Sequence, residues 1–238
     1  MFNKICFNFI LFIIYSFIGW SIEVIGKLIE KHKFINRGFL VGPICPIYGW
    51  GCITIILLLS KYKESPIVLF LMAIIICSIL EYFTSYFMEK LFHVRWWDYT
   101  RRKYNINGRI CAETMIPFGL LGCLVVYVVN PIFVSLLSKI PVNTLNTLAI
   151  IIFILYIVDN VISLSVMFGF KGTLKTVEKD GTEEITKKVR EVLLKRNFLY
   201  KRSVNAFPNI TSKKERLELL ESKISSEIER LKNKIEKM

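Results

Sequence analysis

Histidine is nearly missing from this 238-residue chain, which has only His32 and His93. The six cysteines, at 6, 45, 52, 77, 111 and 123, include no Cys-x-x-Cys pair. Structural zinc is held by four Cys or His ligands at short, recognisable spacings, so no metal is expected. A disulfide framework is excluded too, because every cysteine lies inside or at the end of an apolar run, where thiols pack as small apolar groups. A phosphate-cradling GxxxxGK[ST] loop is also lacking. The nearest stretch, GFKGTLKT at 169–176, has the wrong spacing, so the chain carries no ATPase site and no cofactor is expected. Acidic residues are scarce, 19 against 32 basic, for a net charge of +13. No basic groove, finger or stacking motif accompanies that charge, which argues against nucleic acid as a partner.

Apolar side chains are plentiful. They form 53% of the chain, above the roughly 45–50% of soluble domains. They gather into runs at about 5–25, 44–60, 67–87, 110–129 and 145–170. Each run is near the roughly 17–25 residues that cross a hydrocarbon core. The fold expected is all-α: a polytopic transmembrane bundle of about five spans over residues 1–170, with the lipid bilayer as its first partner. The first run has no small-x-small cleavage site and reads as a span rather than a signal. The second is short, and Pro43, Pro46 and nearby glycines interrupt its start, which predicts a broken or re-entrant segment buried in protein.

Five spans place the two ends on opposite sides. The 27–43 and 90–109 connections then share a side with the tail and carry ten basic residues, against Lys4, Lys61, Lys63 and Lys139 opposite. That asymmetry predicts an outside N-terminus and a cytoplasmic tail. The tail, 171–238, is a basic helical region with 18 basic and 11 acidic residues. Thr182 caps one expected helix with apolar positions at 185, 189, 192 and 193. Ser212 with Glu215 forms a capping box before a second, whose apolar residues run from 217 to 235. The tail is expected to be dispensable for insertion.

Ionisable groups inside spans are expensive, so each asks for a reason. Glu23 lies near the inner end of the first span, and Glu81 lies well inside the third, with Ser85 and Glu89 on the same helical face. Glu113 lies one turn into the fourth, and Asp159 is near the middle of the fifth. These residues predict a polar cavity open to the cytoplasm, with Arg37, Arg95 and Arg109 neutralising some of the carboxylates. The alternative is that they form interhelical hydrogen bonds that fix the bundle. Two connections look built rather than loose. One is NRGFLVGPICPIYGWG at 36–51, the other RWWDYTRRKYNINGRICAE at 95–113. In the second, Trp96 and Trp97 are expected at headgroup level and Asp98 beside an arginine.

The motifs YSFIGWSIEV (15–24), NRGFLVGPICPIYGWG, EYFTSYFMEKLF (81–92), RWWDY (95–99) and NGRICAETMIPFGLLG (107–122) occur in this order. The chain in this respect resembles the putative ABC-transporter permease family labelled type IV, over about its first 170 residues. The resemblance implies a small bacterial multi-pass inner-membrane protein with a transport role; the missing phosphate loop then requires an ATPase on another polypeptide, and five spans are few enough to require a second copy or a larger partner. Two other readings stand beside it. One is a membrane scaffold or regulator acting through the tail; the other is an interfacial enzyme acting on a lipid head group with these carboxylates, arginines and tryptophans.

Overall fold

The computed structural model describes residues 1–92, 94–179, 202, 211–212 and 225, with side chains described for 1–92, 95–168, 202 and 225. The expected tail helices lie outside these residues, apart from Ser212 and Ser225. Helix α1 (Phe2–Lys31) ends at His32, which turns left-handed. Helix α2 (Pro46–Leu59) is extended by a 3-10 turn over Ser60–Tyr62 and leads into α3 (Pro66–Phe92). Short strands β1 (Val94–Arg95), β2 (Asn105–Ile106) and β3 (Ile110–Cys111) occupy the next connection. They are followed by α4 (Ala112–Leu124), a π-helical stretch at Val125–Val129, α5 (Asn130–Leu137) and α6 (Val142–Lys179). Strand β4 (Thr211–Ser212) pairs antiparallel with β1, Val94 opposite Ser212.

Four segments, 2–31, 66–92, 112–137 and 142–168, are long and apolar enough to cross a membrane, whereas 46–62 is shorter. Its shortness has a local cause. The Cys45 amide donates to the Ser16 carbonyl at 3.0 Å, so α2 starts beside the middle of α1 rather than beside its end at Lys31. Fifteen helical residues separate those levels, about 22 Å. Residues 32–45 therefore descend into the bundle before α2 begins, as the prolines predict, and Leu40 on that segment is fully buried.

Small residues let the helices approach. A Cβ on Gly49 would strike Ser16 and Phe12 of α1, and one on Gly122 would strike Ala73 of α3. Without a hydrophobic drive between helices in lipid, such close packing is the main source of association. The buried stripe of α6 includes Leu145, Ala149, Ser163 and Val166, while Ile150, Ile151, Phe153, Ile154 and Leu155 point outward. That outward apolar surface suits a bilayer. The π stretch also has a cause. Pro131 has no N–H for the carbonyl of Tyr127 and its ring crowds that group, so the preceding turn widens.

The N-terminus and the 60–65 and 138–141 turns gather at one end, where Asn146 donates to Asn3 at 3.0 Å and the Tyr127 hydroxyl to the Lys63 carbonyl at 2.6 Å. The 32–45 segment and the 93–111 connection occupy the other end.

Candidate functional site

The descending segment is held from both faces. Asp159 of α6 accepts the amides of Val41 (2.8 Å, at Oδ1) and Gly42 (2.9 Å, at Oδ2), and Ser163 donates to the same carboxylate at 3.1 Å. Opposite, Arg202 donates to the carbonyls of Gly38, at 3.0 Å, and Leu40. The Leu40–Val41 peptide thus has its N–H on an anion and its C=O on a cation. Charge-assisted hydrogen bonds of this kind are the stronger class. Asn36 completes the turn: it accepts from Trp20 Nε1 at 2.7 Å and the Gly38 amide at 3.1 Å, and donates to the Val41 carbonyl at 3.1 Å.

The 93–111 connection is a folded cap. Asn107 (φ 52°) and Gly108 (φ 64°) turn β2 into β3, with Asn105 opposite Cys111 and Ile106 opposite Ile110. Asn-Gly is the usual sequence of a turn needing two positive φ values. A side chain on Gly108 would strike Thr100, Asp98 and Arg95. Under this turn lies an ion cluster. Glu89 Oε2 meets Arg95 Nη2 at 3.0 Å, Arg95 Nε at 3.1 Å and Arg109 Nη2 at 2.8 Å. Arg95 also donates to the Asn107 carbonyl at 2.9 Å and lies 3.5 Å from Asp98. Arg109 donates to Ser85 at 3.2 Å and lies over the Tyr82 and Tyr86 rings. Its backbone carbonyl accepts from Trp97 Nε1 at 3.1 Å. The side chains of Arg95, Arg109 and Glu89 are only 4%, 11% and 12% exposed. Two cations balance two anions, Glu89 and Asp98. Trp96 is buried beside the rings of Phe39 and Phe92.

Below the cap are two tyrosine–carboxylate pairs. Tyr48 donates to Glu23 at 2.8 Å, and Glu23 lies 3.8 Å from Arg37 Nε. Tyr99 donates to Glu81 Oε1 at 3.2 Å. Burial first, and then the Glu81 carboxylate, raise the Tyr99 hydroxyl above its ordinary value, so it remains a donor at any working pH. The two pairs sit on helices packed side by side, Glu23 on α1 and Tyr48 on α2 for the first, Glu81 on α3 for the second. Gly19 makes the first pair possible, since a Cβ there would fall inside the Tyr48 ring. Gly19→Ala is expected to cost about 1–3 kcal/mol by overpacking. Tyr48→Phe, which keeps the ring, should cost less; thermal aggregation midpoints of the two variants check this ordering.

Of the residues expected to line one cavity, Glu23, Arg37 and Glu81 share this cluster, and Glu89, Arg95, Asp98 and Arg109 form the ion cluster above it. Asp159 is occupied by the descending segment. Glu113 stands apart, 57% exposed and paired with Arg102 at 3.0 Å. A cavity of about 440 Å³ lies at the opposite end, lined in part by Asn3, Lys4, Ser138 and Asn146. Sequence reasoning missed Tyr48, Tyr99, Asn36 and Arg202. Asn107-Gly108 was the available signal for the turn that positions Tyr99, whose amide donates to the Gly108 carbonyl at 2.8 Å. Nothing local in the sequence marks Arg202.

No curated protein matches this chain, and no solved structure does. One family profile does match, over residues 10–164, from the first helix through Leu164 of α6, and its description is "Putative ABC-transporter type IV". A multi-pass membrane protein with this run of sequence belongs to that family.

Proposed function

We propose that the chain is the membrane-embedded, permease-like component of an ATP-driven transporter, working with an ATPase carried on another polypeptide. The family match over residues 10–164 carries this reading. The sequence adds support, because no phosphate-binding loop occurs in it. The ATPase docks on the face formed by the 32–45 segment and the 94–111 cap, where Arg202 and β4 also lie. That face is cytoplasmic, on the basic-residue asymmetry of the connections. The cluster of Glu23, Arg37, Tyr48, Glu81 and Tyr99 is the polar site within the bundle, and the Glu89–Arg95–Asp98–Arg109 cluster closes it toward the cytoplasm.

A cysteine introduced at Lys103, in the cap, should crosslink to an ATPase subunit in native membranes, with a yield that changes when ATP is added. It should also resist impermeant thiol reagents applied outside intact cells, whereas a cysteine at Lys61 should react. Labelling of the Lys103 site from outside would reverse the orientation. Crosslinks to soluble proteins without nucleotide-binding subunits, formed instead from the tail, would favour the scaffold reading, to which the contacts of Arg202 with the 38–40 backbone lend a specific observation.

A further inference from the structure

Eight carboxylates occur in the first 170 residues. Glu23, Glu30, Glu89, Asp98 and Glu113 each have a Lys or Arg nitrogen within 3.8 Å. Asp159 accepts two amides and a hydroxyl, with Arg202 across the peptide. Glu64 is exposed in the turn between α2 and α3. Glu81 is different. It is 8% exposed, its Oε1 accepts a single phenolic hydrogen bond, and its Oε2 has no hydrogen-bond partner among the described residues. One turn away on the same helix, Ser78 Oγ is also buried and without a partner among them. Two buried oxygens in adjacent turns lack a donor.

We propose that Glu81 is a proton-binding site, exchanging its proton with water from the end of the bundle that carries the 93–111 cap. In the loaded state the proton sits on Oε2, while Oε1 keeps the hydrogen bond from Tyr99. On release the proton passes to water, leaving a carboxylate whose donor is that phenol.

The surrounding charges leave this role open. From α1, Glu23 faces the neighbourhood, and its charge is matched by Arg37. From α2, the Tyr48 hydroxyl is committed to Glu23. From the cap, Arg109 comes within one turn, at Ser85, but its charge is taken by Glu89. On α3 itself Cys77 lies one turn before Glu81, and its side chain is a thiol rather than a cation. From α4, Glu113 is exposed and paired, and from α6, Asp159 is filled by the descending segment. No described Lys or Arg pairs with Glu81, whose one hydrogen-bond partner among the described residues is the Tyr99 hydroxyl. Loading a proton onto an ordinary glutamate at neutral pH is disfavoured by only about 500-fold. Burial of an unpaired carboxylate readily outweighs that. A hard metal ion fits less well, since it takes about six oxygens and the described residues contain no group of three candidate ligands. The inference is independent of the transporter reading, because Glu81 would bind its proton equally in a scaffold or an enzyme.

The test is infrared difference spectroscopy on the purified full chain in nanodiscs, titrated from about pH 5 to about pH 9. The expected result is a carboxylic-acid C=O band that disappears as pH rises and moves in deuterated buffer. It should be absent from Glu81→Gln and retained in Glu30→Gln, an exposed control. Tyr99→Phe, which removes the donor to the carboxylate, should move the midpoint to higher pH by about one unit. That variant keeps the test decisive if Glu81→Gln does not fold. Identical spectra for wild type and a folded Glu81→Gln would overturn the proposal. So would an unmoved midpoint in Tyr99→Phe, or a band abolished at constant pH by sodium or potassium, which would make the ligand a metal cation.

Discussion

Glu89→Ala should lower the stability of the bundle by about 3–5 kcal/mol, the scale expected when one member of a buried ion pair is removed. The loss is large because Glu89 Oε2 serves both Arg95 and Arg109. Without it, Arg95 keeps Asp98 and the Asn107 carbonyl, whereas Arg109 is left with Ser85 and the faces of two tyrosines. The double variant Glu89→Ala/Arg109→Leu should recover part of the loss, since it removes the stranded cation as well. Thermal midpoints from fluorescence-detected size exclusion measure both. A single variant as stable as wild type would show that water already solvates the cluster.

Asp159→Ala is expected to cost about 2–4 kcal/mol, because it takes the carboxylate acceptor away from the amides of Val41 and Gly42. Ser163, 3.1 Å from the Val41 amide, can recover only one of them. The effect should be local first: residues 36–45 lose their anchor on α6 while the α1–α2 and α3–α4 seams keep theirs. Cys45, which follows this segment, is a native reporter. In a chain whose other five cysteines are replaced by serine, its modification by a permeant maleimide should accelerate by about 5–30-fold, the range given by 1–2 kcal/mol of local opening. An unchanged rate would mean that Arg202 and Asn36 suffice to hold the segment.

The helices were legible because apolar runs of span length have few alternatives in sequence space, and Pro43 and Pro46 disclosed the break before α2. Their ends were less so. α1 continues six residues beyond Ile25 and α3 five beyond Phe87, since a helix need not stop where its apolar surface does. Ile110 and Cys111, apolar enough to be read into the fourth span, belong to a strand because the turn at Asn107-Gly108 pairs them with Ile106 and Asn105. For the candidate site, the charged residues could be found from their cost in a membrane. Their partners could not: the pairing of Tyr99 with Glu81 depends on a cap whose path is set by turn geometry, and that of Tyr48 with Glu23 on a missing Cβ at Gly19. Asp159 was singled out by its place in a span, but the backbone amides it binds are invisible to any reading of side chains.

The widened turn before Pro131 has a consequence for how sequences of this kind can change length. A span is normally fixed in length by the bilayer, and one added or lost residue rotates everything beyond it by about 100°. Here Gly119 and Gly122 must face α3 while Leu137 packs with Cys6, Ile10 and Leu11 of α1. The π stretch absorbs one residue between those two contacts. A chain with no proline at this position can close the turn to an ordinary α-helix by deleting a single residue, leaving both faces in phase. Residues 125–129 are therefore the place within a membrane span where a one-residue gap is tolerated, whereas the same deletion made between 112 and 118 rotates both glycines relative to the cap that precedes them.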